Sequence, residues 1–199
     1  MRSLSWSPTP AILAVLALSI QVAAELSAQN PPPVSGVAGG SAPRFIPADI
    51  WSRMRERLEH SEEFATVTAP VDTVWSALKA SLDALGVPIS FSDRSSWQMG
   101  SVRAKLYHYL GKQSVSAYLR CGEGMTGPNA DTYAVYLSYV AFLQPASDGK
   151  VTLLSLVTAQ AVDLANGRGD PVDCTSNGRL EQRIAQQVQA RVLLPAKPK

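Results

Sequence analysis

Pro70-Val-Asp-Thr-Val-Trp-Ser-Ala-Leu-Lys-Ala-Ser-Leu-Asp-Ala-Leu-Gly86 is the stretch on which the fold turns. Val71, Val74, Trp75, Leu78, Leu82 and Leu85 recur at intervals of three and four, which places them on one stripe of an α-helix. Pro70 suits the first turn, where a missing N–H breaks no bond, and Gly86 stands where a left-handed C-terminal cap is needed. A stripe of this size has to bury against another layer. The flanking residues say what that layer is. Phe64 to Thr68 alternates as a short strand, and the chain after Gly86 reads as strand until the last helix.

Along that run Val87, Ile89 and Phe91 alternate, and Asp93-Arg-Ser-Ser96 turns the chain. Trp97 to Arg103 and Lys105 to Leu110 are polar-apolar alternations, one bent strand or two, before a turn at Gly111-Lys112. Ser114 to Cys121 reads as a strand with Val115, Ala117, Leu119 and Cys121 on one face. Thr132 to Leu143 and Val151 to Ala161 form a hairpin through Pro145-Ala-Ser-Asp-Gly149, whose Asp-Gly pair suits a tight turn. After a loop at Asn166-Gly-Arg-Gly-Asp-Pro171, Ser176, Asn177 and Gly178 start a closing helix with Leu180, Ile184, Val188 and Val192 on its apolar face. This order predicts an α+β, helix-grip-like fold. A curved antiparallel sheet packs on a long C-terminal helix, both helix stripes share one sheet face, and the other face is left partly open. Pro47 to His60 adds a short amphipathic helix with Ile50, Met54 and Leu58 on one stripe and Arg53, Arg55 and Arg57 off it. It reads as a helix lying on its own domain with a solvated basic side, the other reading being a docking helix for a partner.

The chain has 199 residues, 46% of them hydrophobic, enough for one good core and one domain. Its 18 basic and 16 acidic side chains leave a net charge of +2, too little field to hold nucleic acid or anionic lipid. Arg2, the apolar run Ala11 to Val22 and the small residues Ala23, Ala24 and Ala28 form a secretory signal pattern, with cleavage after Ala24 or Ala28. The run is shorter than the ~20 residues of a membrane span, so no stable anchor is expected after cleavage. Residues 1–28 are thus read as signal, 29–46 as a flexible Pro/Gly-rich arm, 47–194 as the domain and 195–199 as a tail. A periplasmic or secreted location follows. In an oxidising compartment the two cysteines, Cys121 and Cys174, are expected to pair.

Cys121-Gly-Glu-Gly-Met-Thr-Gly127 matches the G-x-G-x-x-G spacing of dinucleotide sites. Such a site needs a helix opening after the third glycine, and here Pro128-Asn-Ala-Asp131 leads into a strand. The glycines are read as a sharp turn that serves the cysteine, with no phosphate bound.

Val71-Asp-Thr-Val-Trp75, Leu82-Asp83, Gly86 and Asp93-Arg94-Ser95 resemble a stretch of the helix-grip domains of BamC, the lipoprotein of the outer-membrane β-barrel assembly machine. The likeness covers about 25 residues and implies the same fold. Ala69-Pro-Val-Asp-x-Val-Trp75 also resembles the ligand-binding START-type superfamily, which shares that architecture. The BamC family is lipid-anchored and carries two such domains, whereas this sequence has no cysteine near the expected cleavage site and space for one domain. No binding residue is carried across.

These readings point to an exported, non-enzymatic domain that binds an envelope protein or another part of the cell envelope. The alternative is a carrier holding a small apolar ligand in a START-like hollow between the C-terminal helix and the sheet. Trp97, Tyr107, Tyr109, Tyr133 and Tyr139 are the candidate contacts for a ligand or partner, plain strand packing being the other reading of the same aromatics. An enzyme would have to use Asp170 or Asp173, since His60 and His108 fall in no catalytic pattern and no residues have metal-ligand spacing; no cofactor is expected.

Overall fold

The computed structural model describes residues 44–58, 64–165 and 170–194. The expected signal segment, the arm up to residue 43, His60, the 166–169 loop and the tail lie outside them. Helix α1 spans Ala48–Leu58, strand β1 Phe64–Thr68 and helix α2 Val71–Leu85. Strands β2 (Phe91–Asp93), β3 (Gln98–Tyr107), β4 (Tyr109–Leu110) and β5 (Gln113–Ser114) follow. A 3-10 turn at Val115–Ala117 leads to β6 (Leu119–Arg120), β7 (Glu123–Gly124) and β8 (Gly127–Pro128). One helical turn, α3 (Asn129–Thr132), then introduces β9 (Ala134–Pro145), β10 (Lys150–Val162), β11 (Val172–Ser176) and α4 (Arg179–Leu193). The main sheet runs β5-β4-β3-β9-β10-β11-β6, with β1 beside β10 and β2 beside β3, and its pairings are antiparallel. The fold is α+β with a C-terminal helix, of the helix-grip type.

The expected hairpin is the spine. β9 and β10 pair continuously from Val151↔Pro145 to Val162↔Ala134. Alternate residues face opposite sides, so Leu137, Tyr139, Ala141 and Leu143 with Leu153, Val157 and Ala159 meet α2 and α4 in one core. That core takes Val74, Leu78 and Leu82 from α2 and Leu180, Ile184 and Val188 from α4, all fully buried. Each such side chain contributes about 1.5–3 kcal/mol on burial. Gly86 ends α2 at φ 72°, and the bonds Gly86 N–H to Asp83 and Val87 N–H to Leu82 close the cap.

The other sheet face is only half open. Here α1 lies on β10 and buries Ile50, Trp51 and Met54, with the Trp51 ring 6.1 Å from Phe142. Val140, Phe142, Leu154 and Leu156 form the covered half. Ahead of α1, Ile46 is buried and Phe45 stacks on Phe91. The helix reading of Pro47 to His60 as part of its own domain holds over Ala48–Leu58.

Four local expectations need correction. The Val87–Phe91 alternation pairs only from Phe91, because Val87 is drawn back into the α2 cap. Ser114–Cys121 is not one strand: Asp131 accepts hydrogen bonds from the Ser116 N–H and hydroxyl at 2.9 and 2.5 Å, and the chain coils into the 3-10 turn there. A helical turn does open after Gly127-Pro128, although it has four residues and its Asp131 points back at Ser116. The residues before α4 form β11, which pairs with β10 and β6 before Gly178 begins the helix.

The glycine loop serves the cysteine. β7 and β8 make a small hairpin around it, and Asn129 donates from Nδ2 to the Cys121 carbonyl at 3.1 Å. Cys121 and Cys174 form a disulfide across a sequence separation of 53. It ties the end of β6 to β11, just ahead of α4. Closing a loop of that length stabilises the fold by about 4 kcal/mol in the chain-entropy model. The variant Cys121→Ser/Cys174→Ser should therefore unfold at distinctly lower urea than the parent chain, while the parent under reductant should match the variant. Coincident curves for oxidised and reduced protein would refute this.

Candidate functional site

β3 reaches the outer face by a change of step. Ser101 pairs with Tyr139 and Ala104 with Leu137, so β3 carries one more residue than β9 between those pairs. This is a β-bulge, and Arg103 adopts φ 51° in it while its N–H donates to Ser138 Oγ at 3.0 Å. Before the bulge Met99 enters the core; after it Leu106 does. An extra residue flips the faces of everything beyond it. Lys105 and Tyr107 therefore stand on the outer face beside their pair partners Tyr136 and Ala134.

That half of the face is not covered by α1. The Lys105 ammonium lies 4.9 Å from the Tyr107 ring centroid and 5.9 Å from that of Tyr136. Hydrogen bonding to Tyr107, assisted by Tyr136, holds the lysine above its ordinary value, so it stays charged at neutral pH. Beside the first two turns of α1 a cleft of about 270 Å³ opens, where apolar Ile50, Ala159, Val162 and Pro171 line the walls together with Arg53, Arg103, Tyr136, Ser138, Thr158 and Gln160. Ser138 and Thr158 are buried.

Two aspartates organise the arginines. Asp49 on α1 bonds Arg53 at 3.1 Å and Arg103 at 3.0 Å. Asp173 on β11 bonds Arg53 at 3.1 Å and the Gln160 amide at 3.0 Å. Arg53 Nε is buried with no hydrogen-bond partner among the described residues. Desolvation pushes the Asp49 carboxyl up, but the Arg103 hydrogen bond and charge, with Ile50 N–H and Arg53, outweigh it and leave Asp49 below the ordinary aspartate value. Helix α1 is thus latched to β3 and β11 through its first and second turns. Asp173 is committed to this latch, and Asp170 is exposed at its edge.

The five aromatic residues singled out by the sequence do not form one site. Tyr107 and Tyr109, 51% and 64% exposed, stand at the far end of β3 and in β4, with Tyr133 half-buried nearby in the chain leading to β9. Trp97 is at the opposite end of β3, half-buried edge-on to Trp75 at 5.7 Å, with Arg94 over its ring at 5.8 Å. Arg94 also pairs with Asp72, and Asp93 takes hydrogen bonds from Ser95 and Ser96, which lower its carboxyl pKa. These residues clasp the start of α2 to the β2–β3 turn. Tyr139 is wholly enclosed, its hydroxyl 3.1 Å from Ser155 Oγ, and burial pushes its ionisation far up despite that bond. It is a core residue and lines no opening.

The space directly between α4 and the sheet is filled by Leu180, Ile184 and Val188. Beside it a groove of about 310 Å³ has a mixed lining, with Ala65, Leu153 and Ala185 next to Ser155, Glu181, Gln182, Gln186 and Gln189. Sequence reasoning missed Lys105, Arg53, Arg103 and Tyr136 as a group. The signal available was the broken alternation around Arg103. No family model matches this chain, and no curated protein matches it. Among the described residues no group of three or more His, Cys, Asp or Glu side chains is placed to hold a metal ion, and no helix is long and apolar enough to cross a membrane.

Two outcomes follow. Ser138→Ala removes the acceptor of the Arg103 N–H and should lower stability by about 1 kcal/mol in urea unfolding. An unchanged midpoint would show that the bulge does not depend on it. Because Asp49 is depressed in the folded state, its contribution is whole above about pH 4 and is lost as pH falls through the folded value. Tryptophan fluorescence should hold steady from pH 7 to about 4 and shift below that, and Asp49→Asn should remove the shift.

Proposed function

We propose that this chain is an exported, non-enzymatic binding domain that engages a component of the cell envelope through the half of its outer sheet face that α1 leaves open. The observation that carries this reading is the bulge at Arg103, which turns Lys105 and Tyr107 outward next to Tyr136 above a cleft with hydroxyl groups on its floor. Backbone strain of this sort is held in place where the re-aimed side chain has a use. The disulfide fits an oxidising compartment, and with it the exported location. Aromatic rings, long cations and amides at a solvent-facing cleft suit recognition, and the aspartates beside them are tied to arginines.

The carrier reading has less to support it, since the interior that would hold an apolar ligand is occupied by side chains. Membership of a BamC-like assembly remains part of this proposal only at the level of shared architecture.

A photo-cross-linking residue placed at Tyr107 in cells exporting the protein should give envelope adducts, and one placed at Lys79, exposed on α2, should not. Equal adducts at both positions, or none at Tyr107, would exclude this face as the binding surface.

A further inference from the structure

We infer that α1 is an exchangeable strap: the covered half of the outer sheet face is a groove for an amphipathic helix, and a second copy of this chain can fill it with its own α1. This concerns the covered half alone and does not rest on the open half as the envelope-binding surface. The groove floor is Val140, Phe142, Leu154 and Leu156, apolar and buried on the face where α1 lies. Ile50 and Met54, one turn apart, and Trp51 beside them are the anchors of α1, with Ile46 buried one turn ahead, the spacing by which a helix seats in a groove. Asp49, Ser52, Arg55 and Glu56 make the rest of that helix polar and exposed. None of the floor or anchor residues belongs to the core that α2 and α4 share with the sheet. Release of α1 therefore leaves that core whole.

The seat of α1 is imperfect. Trp51 is 5% exposed, yet its Nε1–H has no acceptor among the described residues, and neither has the buried Nε–H of Arg53. A buried donor without a partner opposes the burial that seats it, and water satisfies both donors on release. The ion pairs that tie α1 to the strands, Asp49 to Arg103 and Arg53 to Asp173, join partly exposed side chains, and salt screens such pairs. The Cys121–Cys174 bridge fastens β6 to β11 and holds no part of α1. Once bared, the apolar floor needs cover, and the surrounding strands specify what fits. Arg103 awaits an acid and Asp173 a base one helical turn further on, the places taken by Asp49 and Arg53. The α1 of a second copy supplies both charges and the same anchors, so the exchanged pair repeats the contacts of the closed monomer. Exchange of an identical element is a low-cost route to a dimer, and concentration decides between the two forms.

The test uses the purified full chain. Amides of α1 should exchange with deuterium about a hundredfold faster than those of β9 and β10, and sedimentation should show a monomer in dilute solution giving way to a dimer as concentration rises. A fluorescent peptide of residues 44–58 stands in for the second copy. It should bind the chain carrying Trp51→Ala and Met54→Ala, whose own strap is weakened, about tenfold more tightly than it binds the parent, and the peptide with the same two changes should not bind. The doubly substituted chain should form no dimer. Should that chain fail to fold, deuterium exchange and sedimentation of the parent decide the matter. Equal protection of α1 and β9, or a parent monomeric at every concentration, would overturn the inference; peptide binding by the variant beside a monomeric parent would assign the groove to a helix of another protein. Either failure leaves the envelope reading standing, since cross-linking from Tyr107 reports on the other half of the face.

Discussion

The register between β9 and β10 is the constraint on which the structure depends. Both strands are buried on both faces over most of their length, so a slip of one residue would drive Tyr139, Ser155 and Ser138 onto the wrong sides at once. With that ladder set, one face offers Leu137, Tyr139, Leu153 and Val157 to the α2–α4 layer, and the other offers Val140, Phe142, Leu154 and Leu156 to α1. The two helical layers lie on opposite faces of these strands.

Along the third strand of this spine, one extra residue produces the functional asymmetry of the molecule. Up to Ser101, β3 follows the face pattern that the covered half requires; from Ala104 it follows the opposite one. The outer face thereby divides into an apolar half under α1 and a polar, aromatic half in solvent. Arg103 sits at the boundary and reaches Asp49 in the first turn of α1. A regular strand would send Lys105 inward and bring Leu106 out to water.

The cysteine pair acts at the far edge. β11 is five residues long, exposed at Val172, Asp173 and Thr175, and has little apolar surface of its own. The bridge to Cys121 and pairing with β6 hold it against β10. That placement has two uses, because β11 leads α4 into the core and carries Asp173 to Arg53. The cross-link, whose Cys174 pairs with Ala159 in the cleft wall, thus supports one side of the cleft.

Much of the architecture was legible in the chain itself. The stripe from Val71 to Leu85, the cap at Gly86, the hairpin around Asp148-Gly149, the apolar face of α4 and the cysteine pair depend on local spacing or on simple elimination, and each stands where the periodicity puts it. β11 and the 3-10 turn were not legible, since Cys174-Thr-Ser and Val115-Ser-Ala acquire their conformations from β10, β6 and Asp131, partners distant in sequence. The cleft was not legible for the same reason. Arg53, Arg103, Tyr136 and Asp173 belong to four different elements, and no spacing rule links them. Periodicity along one strand records which residues alternate, but which of its two sets faces water is decided by the register against a neighbour, and here one bulge reversed it.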